Sequence, residues 1–382
     1  MGDWSSALQP ERLASLFIEL CRIPSPSRQE GPVAQVLRPL FAALGASIRE
    51  DDSATATGSQ TGNLVLSLPG TLPRPPVFFN AHMDTVGPTE GLAVVREGDR
   101  FRSAGNTVLG GDDKSGLAIL AEVCRTLYDQ RIPHRPFQLV FTTCEEIGLL
   151  GAKHLDFSLV SARMGYALDS SGVDQVVVGA PAANRLRFLV KGLAAHAGLC
   201  PEKGISAIQL AAQAIAGLRL GRLDDESTAN IGRIAGGTAT NIVPPEVVVE
   251  GEVRSHDLAK LEAFTRAMRE AFSTAVAGWR DRSGQVAARP GLEIDEELEY
   301  PRLGAAADEP VVQEVTAAAA RLGRQLSLIR AGGGSDANIF AGQGLATVIL
   351  GTGMSKVHST QEEILLPDML RTAELVLAIL TE

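Results

Sequence analysis

Residues Lys114–Gly148 read KSGLAILAEVCRTLYDQRIPHRPFQLVFTTCEEIG. Leu117, Leu120, Ala121, Cys124 and Leu127 recur at helical spacing, which predicts a helix over Lys114–Tyr128 with one apolar stripe. Phe137 to Thr143 is rich in β-forming residues and predicts a hydrophobic strand that runs directly into two acids, Glu145 and Glu146. Working outward, Leu64–Leu68, Val77–Ala81, Met164–Leu168 and Thr347–Leu350 predict further strands. Leu13–Cys21, stopped by Pro24 and Pro26, and Val33–Leu44 predict helices. Strands alternating with helices point to an α/β layered domain with a largely parallel central sheet.

The middle of the chain has a different rhythm. Arg185–Val190 predicts a strand, Ile205–Leu220 a helix, Ala229–Ile234 and Val247–Arg254 a pair of strands, Leu258–Ala277 a helix and Leu292–Tyr300 a last strand. This β-α-β-β-α-β order is the split, ferredoxin-like pattern. From Pro310 the earlier alternation returns. The expected organisation is an inserted α+β domain, residues 183–302, within a discontinuous α/β domain of residues 1–182 and 303–382.

Composition narrows the function classes. The 382 residues suit two domains, and 45% hydrophobic against 21% charged residues allows ordinary buried cores. A formal net charge of −10 argues against a nucleic-acid partner, because phosphate binding needs basic clusters. Cys21, Cys124, Cys144 and Cys200 form no C-x-x-C pair and no disulfide framework, which fits reduced thiols in the cytoplasm. Met1 to Leu20 carries acids and no continuous apolar stretch, so no secretory leader is expected, and no run is long enough to span a membrane.

Six segments place acids or histidines after a predicted strand or in a glycine-rich turn. In Asn80-Ala81-His82-Met83-Asp84, His82 and Asp84 lie two apart on a strand end and share a face; a ligating imidazole needs its second nitrogen held, and a nearby carboxylate can do so. Leu109-Gly110-Gly111-Asp112-Asp113-Lys114-Ser115-Gly116 puts two acids where a helix begins, which fits either an acidic first turn or a metal site. Thr142-Thr143-Cys144-Glu145-Glu146-Ile147-Gly148 sets adjacent carboxylates at a strand end, where a helix N-terminus or a cation relieves their repulsion. The others are Ala167-Leu168-Asp169-Ser170, Val357-His358-Ser359 and, in the inserted domain, Ala195-His196-Ala197-Gly198. Each has a bland reading alone. Together, His82, Asp112, Glu146, Asp169 and His358 fall at or near the carboxyl ends of strands, where open α/β sheets place their sites. Two imidazoles and three carboxylates form a mixed donor set that suits zinc, with one carboxylate able to bridge two ions. His134, His154 and His256 lack such a setting and are read as surface or structural.

The motif series AHMDTV, GGDDKSG, TTCEEIGLLGA, ALDSSG, AAHAG, GGSDANIF and VHS resembles, in order and over nearly the whole chain, the metallopeptidases that include peptidase T, glutamate carboxypeptidases, carnosinase and succinyl-diaminopimelate desuccinylase. Asp169 is the residue type of the peptidase T-like branch at that position. The resemblance implies a zinc-exopeptidase-like domain with an inserted dimerisation or lid domain, and an enzyme that cuts an amide bond of a small peptide, most simply a tripeptide aminopeptidase. Alternatives are an N-acyl amino acid amidohydrolase, a carboxypeptidase of the same fold, or a non-catalytic metal-binding homologue. It further implies two zinc ions, replaceable by cobalt or manganese, one on His82, Asp112 and Asp169 and the other on Asp112, Glu146 and His358. Asp84 would clamp His82, Glu145 would be the general base, and the Asp112–Asp113 peptide would be cis. His196 would reach the oxyanion of the other subunit in a homodimer. Asn241 and Arg254 would bind substrate, with backbone donors from Gly333, Gly334 and Ser335 on its carboxylate. An ion pair of Arg254 with Glu250 or Glu252 is the other reading of that arginine, and Asp336 is expected to cap the helix after it.

Overall fold

The computed structural model describes residues 4–286 and 288–381; Met1 to Asp3, the first residues of the stretch weighed as a leader, lie outside it. The chain divides into two compact units, Met1–Ala180 with Leu303–Glu382, and Pro181–Arg302.

The first unit is built on a nine-stranded sheet. Its centre is parallel: Phe137–Thr142, Val77–His82, Met164–Ser170 and Ala346–Gly351 lie side by side in that order. Towards the margins the pairing turns antiparallel, through Leu64–Leu68 and Ser47–Glu50 on one side and Gln175–Ala180 and Leu303–Gly304 on the other; Ser327–Arg330 joins Gln175–Ala180 in parallel. The parallel strands are buried on both faces, which is why Val77–His82 and Phe137–Thr142 read as unbroken apolar runs rather than alternating ones. Period-two alternation still sorts the side chains. Leu64, Phe79, Leu139, Tyr166 and Val348 pack on one face in a core shared with Leu16, Phe41, Leu120, Val315 and Leu377 from helices. Val65, Phe78 and Val140 face the other way, against Leu155 and Phe340. Helix Gly111–Asp129 runs beneath the sheet, and a small three-stranded sheet of Val94–Glu97, Arg100–Ser103 and Glu363–Leu365 stands beside it.

The second unit has the strand order Ser227–Gly236, Glu246–Ser255, Ala182–Lys191, Gly291–Tyr300, antiparallel throughout, with the two-residue strand Gly221–Arg222 added at one edge. In chain order that is 2-3-1-4, and helices Ala207–Ala216 and Leu258–Ala277 cross one face, the ferredoxin-like arrangement. Leu186, Phe188, Val190, Val247, Val249 and Val253 alternate inward onto Leu210, Met268 and Phe272. Phe188 and Phe272 stack with centroids 3.9 Å apart. Among the described residues no helix is long and apolar enough to cross a membrane. The four cysteines are free, and Cys21, Cys124 and Cys144 are buried.

Candidate metal centre

The carboxyl ends of the parallel strands carry the acids and histidines singled out above. His82 is the last residue of Val77–His82, and Asp169 the last but one of Met164–Ser170. Glu145 and Glu146 follow Phe137–Thr142, and His358 lies in the loop after Ala346–Gly351. Asp112 sits at the amino end of Gly111–Asp129, where the backbone is not yet helical. Gly110 before it has φ 76°, a left-handed turn that a side chain would strain. The peptide between Asp112 and Asp113 is cis.

Asp112 stands between the two imidazoles and gives one oxygen to each. Its Oδ1 is 3.0 Å from His82 Nε2, and its Oδ2 is 3.3 Å from His358 Nε2. His358 Nε2 is also 3.1 Å from Glu146 Oε2. Donor atoms of His82, Asp112 and Glu146 lie within 4.8 Å of one another. Two ligands on one tetrahedral zinc, each at about 2.0–2.1 Å, stand about 3.3 Å apart, so these spacings fit shared cations. The other oxygen of Glu146, Oε1, is buried without a hydrogen-bond partner. A buried anionic oxygen left in that state is costly, and a cation is the group that would satisfy it.

The electrostatics agree with that reading. Burial, followed by the neighbouring Asp112, Glu146 and Asp336, pushes the Asp169 carboxyl well above the ordinary range. Burial also raises Glu145 well above its usual value, with Asp169, Asp336 and Glu146 adding to it. Burial alone would strip His82 of its proton, yet Asp112 and Asp84 outweigh it and hold the imidazole pKa high. Asp112 and Glu146 hold His358 at about 10. Carboxyls pushed towards the neutral form beside imidazoles held in the cationic form mark a site short of positive charge.

Hydrogen bonds fix this arrangement. His82 Nδ1 lies 3.0 Å from the Asp84 backbone carbonyl and 3.5 Å from Asp84 Oδ1. The carbonyl is therefore the main hold on the ring; it keeps the proton on Nδ1 and leaves Nε2 free to ligate. The Asp84 carboxylate does something the spacing did not suggest: it accepts the N–H groups of Glu145 at 3.0 Å and Glu146 at 3.2 Å, and the Ser27 hydroxyl at 2.6 Å. Asp113 accepts the backbone N–H of His82 at 3.2 Å. Asn63 accepts the Thr143 N–H at 3.1 Å and donates to the Gly151 carbonyl at 2.8 Å. Gly151 allows this close approach, since a Cβ there would stand 2.0 Å from the Thr143 carbonyl oxygen. Glu362 accepts backbone N–H groups of the turn that bears Asp112. No motif marked Ser27, Asn63 or Glu362: Asn63 and Glu362 act on backbone groups, which leave no trace in side-chain patterns, and Ser27 reaches the Asp84 carboxylate from 57 residues away.

Two expectations need correction. Asp336 does not cap the helix after it. Ser335 is the N-cap of Asp336–Gly342, accepting from Ala337 N–H at 3.3 Å within a capping box completed by Asn338. Asp336, at the first helical position, turns instead to Thr142 and Asn80. For the same reason Ser335 is not a free backbone donor: its N–H is given to Asn338 Oδ1 at 3.1 Å. Gly333 lies in the loop before that helix.

The remaining expected residues belong to the second unit. His196 is exposed, and its Nδ1 accepts the Gly198 N–H at 3.2 Å, so the neutral ring carries its proton on Nε2. The Asn241 carbonyl accepts from Ala197 N–H at 2.9 Å. Arg254 pairs with Glu252 at 3.0 Å, as its alternative reading had it, while its Nε is buried without a partner.

The profile of peptidase family M20/M25/M40 matches residues 78–382. The chain belongs to that family. An uncharacterized protein of Bacillus subtilis, YqjE, is 42% identical over 373 residues, 97% of this M20 chain and 98% of its own. The crystal structure of the aminopeptidase PepT from Bacillus cereus superposes with a TM-score of 0.87 at 41% identity, covering 98% of this chain and 99% of that one. A tripeptidase from Staphylococcus aureus gives 0.89 at 37% identity, with 98% of both chains covered. The M20 chain is accordingly a peptidase, and its acidic cluster lies where an α/β enzyme keeps its chemistry.

Proposed function

We propose that this chain is a di-zinc aminopeptidase of the peptidase T kind, removing the first residue from tripeptides and other short peptides. The observation that carries the reading is Asp112, whose two oxygens address two different imidazoles, His82 and His358. His82, Asp112 and Asp169 would hold one cation, and Asp112, Glu146 and His358 the other, with cobalt or manganese able to replace zinc. The cations supply Lewis acidity at the scissile carbonyl and to the attacking water. Glu145 takes the proton of that water on its carboxylate and returns it to the leaving amine nitrogen. Its backbone is pinned to Asp84, which holds the carboxylate in register with Glu146. The similarity to an aminopeptidase and a tripeptidase over almost the full chain supports the peptide as substrate.

His196, with its proton on Nε2, is suited to donate to the oxyanion in a second copy of the chain. A homodimer through the inserted domain is supported by the Ser227–Gly236 strand: Gly221–Arg222 covers Thr228 and Ala229 of its edge, and Ile234 further along is 51% exposed. Arg254, its Nε unsatisfied, and Asn241 would bind substrate, and Gly333 and Gly334 would offer backbone donors to a carboxylate. Free thiols, three of the four buried, support a cytoplasmic setting.

A panel of tripeptides, dipeptides and N-acyl amino acids tests the assignment, read by amine release after zinc or cobalt loading. Tripeptides are expected to turn over fastest. Turnover of the acylated compounds alone would make the chain an N-acyl amino acid amidohydrolase, release from the carboxyl end a carboxypeptidase, and no turnover with two metals bound a non-catalytic relative.

A further inference from the structure

The loop that carries His358 is closed at its neck. Ser355 and Glu363 exchange backbone hydrogen bonds of 2.9 and 3.1 Å, and Lys356 and His358 both take positive φ, 52° and 59°. One residue inside the neck, Glu362 is 2% exposed and points into the protein. Its Oε2 accepts the N–H groups of Leu109 at 2.9 Å and Gly110 at 2.8 Å, and its Oε1 that of Asp112 at 2.9 Å. A Cβ on Gly111 would stand 3.0 Å from the same Oε1, so the turn wraps the carboxylate closely. Three amides converging in the turn that leads into the helix form an anion site, filled here by the protein's own side chain.

The arrangement joins two segments that share a cation in the reading given above, on which this inference rests. Asp112 leaves the turn that Glu362 grips, and His358 sits four residues before Glu362 in the closed loop. We propose that Glu362 is a positioning residue that sets the 3.3 Å separation between Asp112 and His358, and with it the affinity of the cation site that contains His358. His82 is held by other means: the strand Val77–His82, the Asp113 carboxylate and the Asp84 carbonyl. Loss of Glu362 therefore loosens one half of the centre more than the other.

The test is cobalt(II) titration of chelator-stripped full-length protein, followed by visible absorption and equilibrium dialysis. In Glu362→Gln the side chain keeps its size and one carbonyl oxygen, but turns an NH2 group towards a backbone N–H. The expected result is a loss of ~10–100-fold in one binding step, the usual scale for removing a partner of a metal ligand, with the other step within about threefold of the parent. The weakened step should be the one abolished in His358→Ala. Gly111→Ala, which crowds Oε1 without removing the carboxylate, should weaken the same step to a smaller extent and guards against a glutamine variant that fails to fold. Two unchanged steps, two steps weakened alike, or loss of the step that survives in His358→Ala overturns the proposal. Failure of the parent to take up two cobalt ions removes the metal centre itself, and the inference with it.

Discussion

The two units treat charge in opposite ways. In the unit of Met1–Ala180 and Leu303–Glu382, Asp84, Asp112, Asp113, Glu145 and Asp336 are buried together, and their partners are mostly backbone amides, hydroxyls and imidazoles. In Pro181–Arg302 the charges line the sheet face away from the helices, where they pair across strands: Arg187 with Asp295 at 3.1 Å, Arg233 with Glu250 at 3.0 Å, and Lys191 with Glu293. Desolvation explains the contrast. Paired charges on an open face keep most of their hydration and contribute little to stability. Buried like charges are tolerated only where something compensates them, and residues that pay this cost mark the site of function.

The sharpest way to break the comparison is Glu145→Ala. If the buried acids are there for chemistry, the rate should fall by ~10²-fold or more with the metal content retained, because a positioned acid–base group contributes about that much. Steady-state kinetics with metal analysis decides, and equal rates in variant and parent would remove Glu145 from the mechanism. Next in size is Phe272→Ala, which empties one side of the stacked pair in the second unit. The expected cost is about 3–5 kcal/mol by denaturant unfolding. A loss below about 1 kcal/mol would mean that this core is not what holds the unit.

A third prediction concerns pH. Asp112 and Glu146 hold His358 protonated up to about 10 in the metal-free protein. A protonated nitrogen cannot ligate, so a proton must leave when the cation enters. Below that pKa, affinity at the His358 site should rise about tenfold per pH unit. Chelator competition between pH 6 and 8 measures it, and a flat profile would contradict it. The smallest effect is expected for Arg187→Ala on the charged sheet face, about 0.5 kcal/mol or less; Arg187 and Asp295 are 42% and 71% exposed. A large loss there would show that the ladder is structural and erase the contrast between the units.

The sequence by itself determined many of the elements, though not the strands Ser47–Glu50, Gln175–Ala180 and Ser327–Arg330, and it named the candidate ligands. Helix Leu258–Ala277 and strand Leu64–Leu68 lie where periodicity put them, and the β-α-β-β-α-β order of the second unit is plain from alternation alone. Both signals are local: a side chain's place on a helix stripe or strand face depends on neighbours a few positions away. Asp84 was legible as a partner of His82, but its grip on the Glu145 and Glu146 amides was not. Tertiary structure alone decided the antiparallel margins of the large sheet, the turn of Asp336 towards Thr142 and Asn80, and the reach of Glu362 across 250 residues to Asp112. Strand pairing and bonds to backbone N–H groups are made between segments remote in the chain, and every residue but proline offers the same amide. Composition and spacing carry no record of which one is used; the packed fold chooses it.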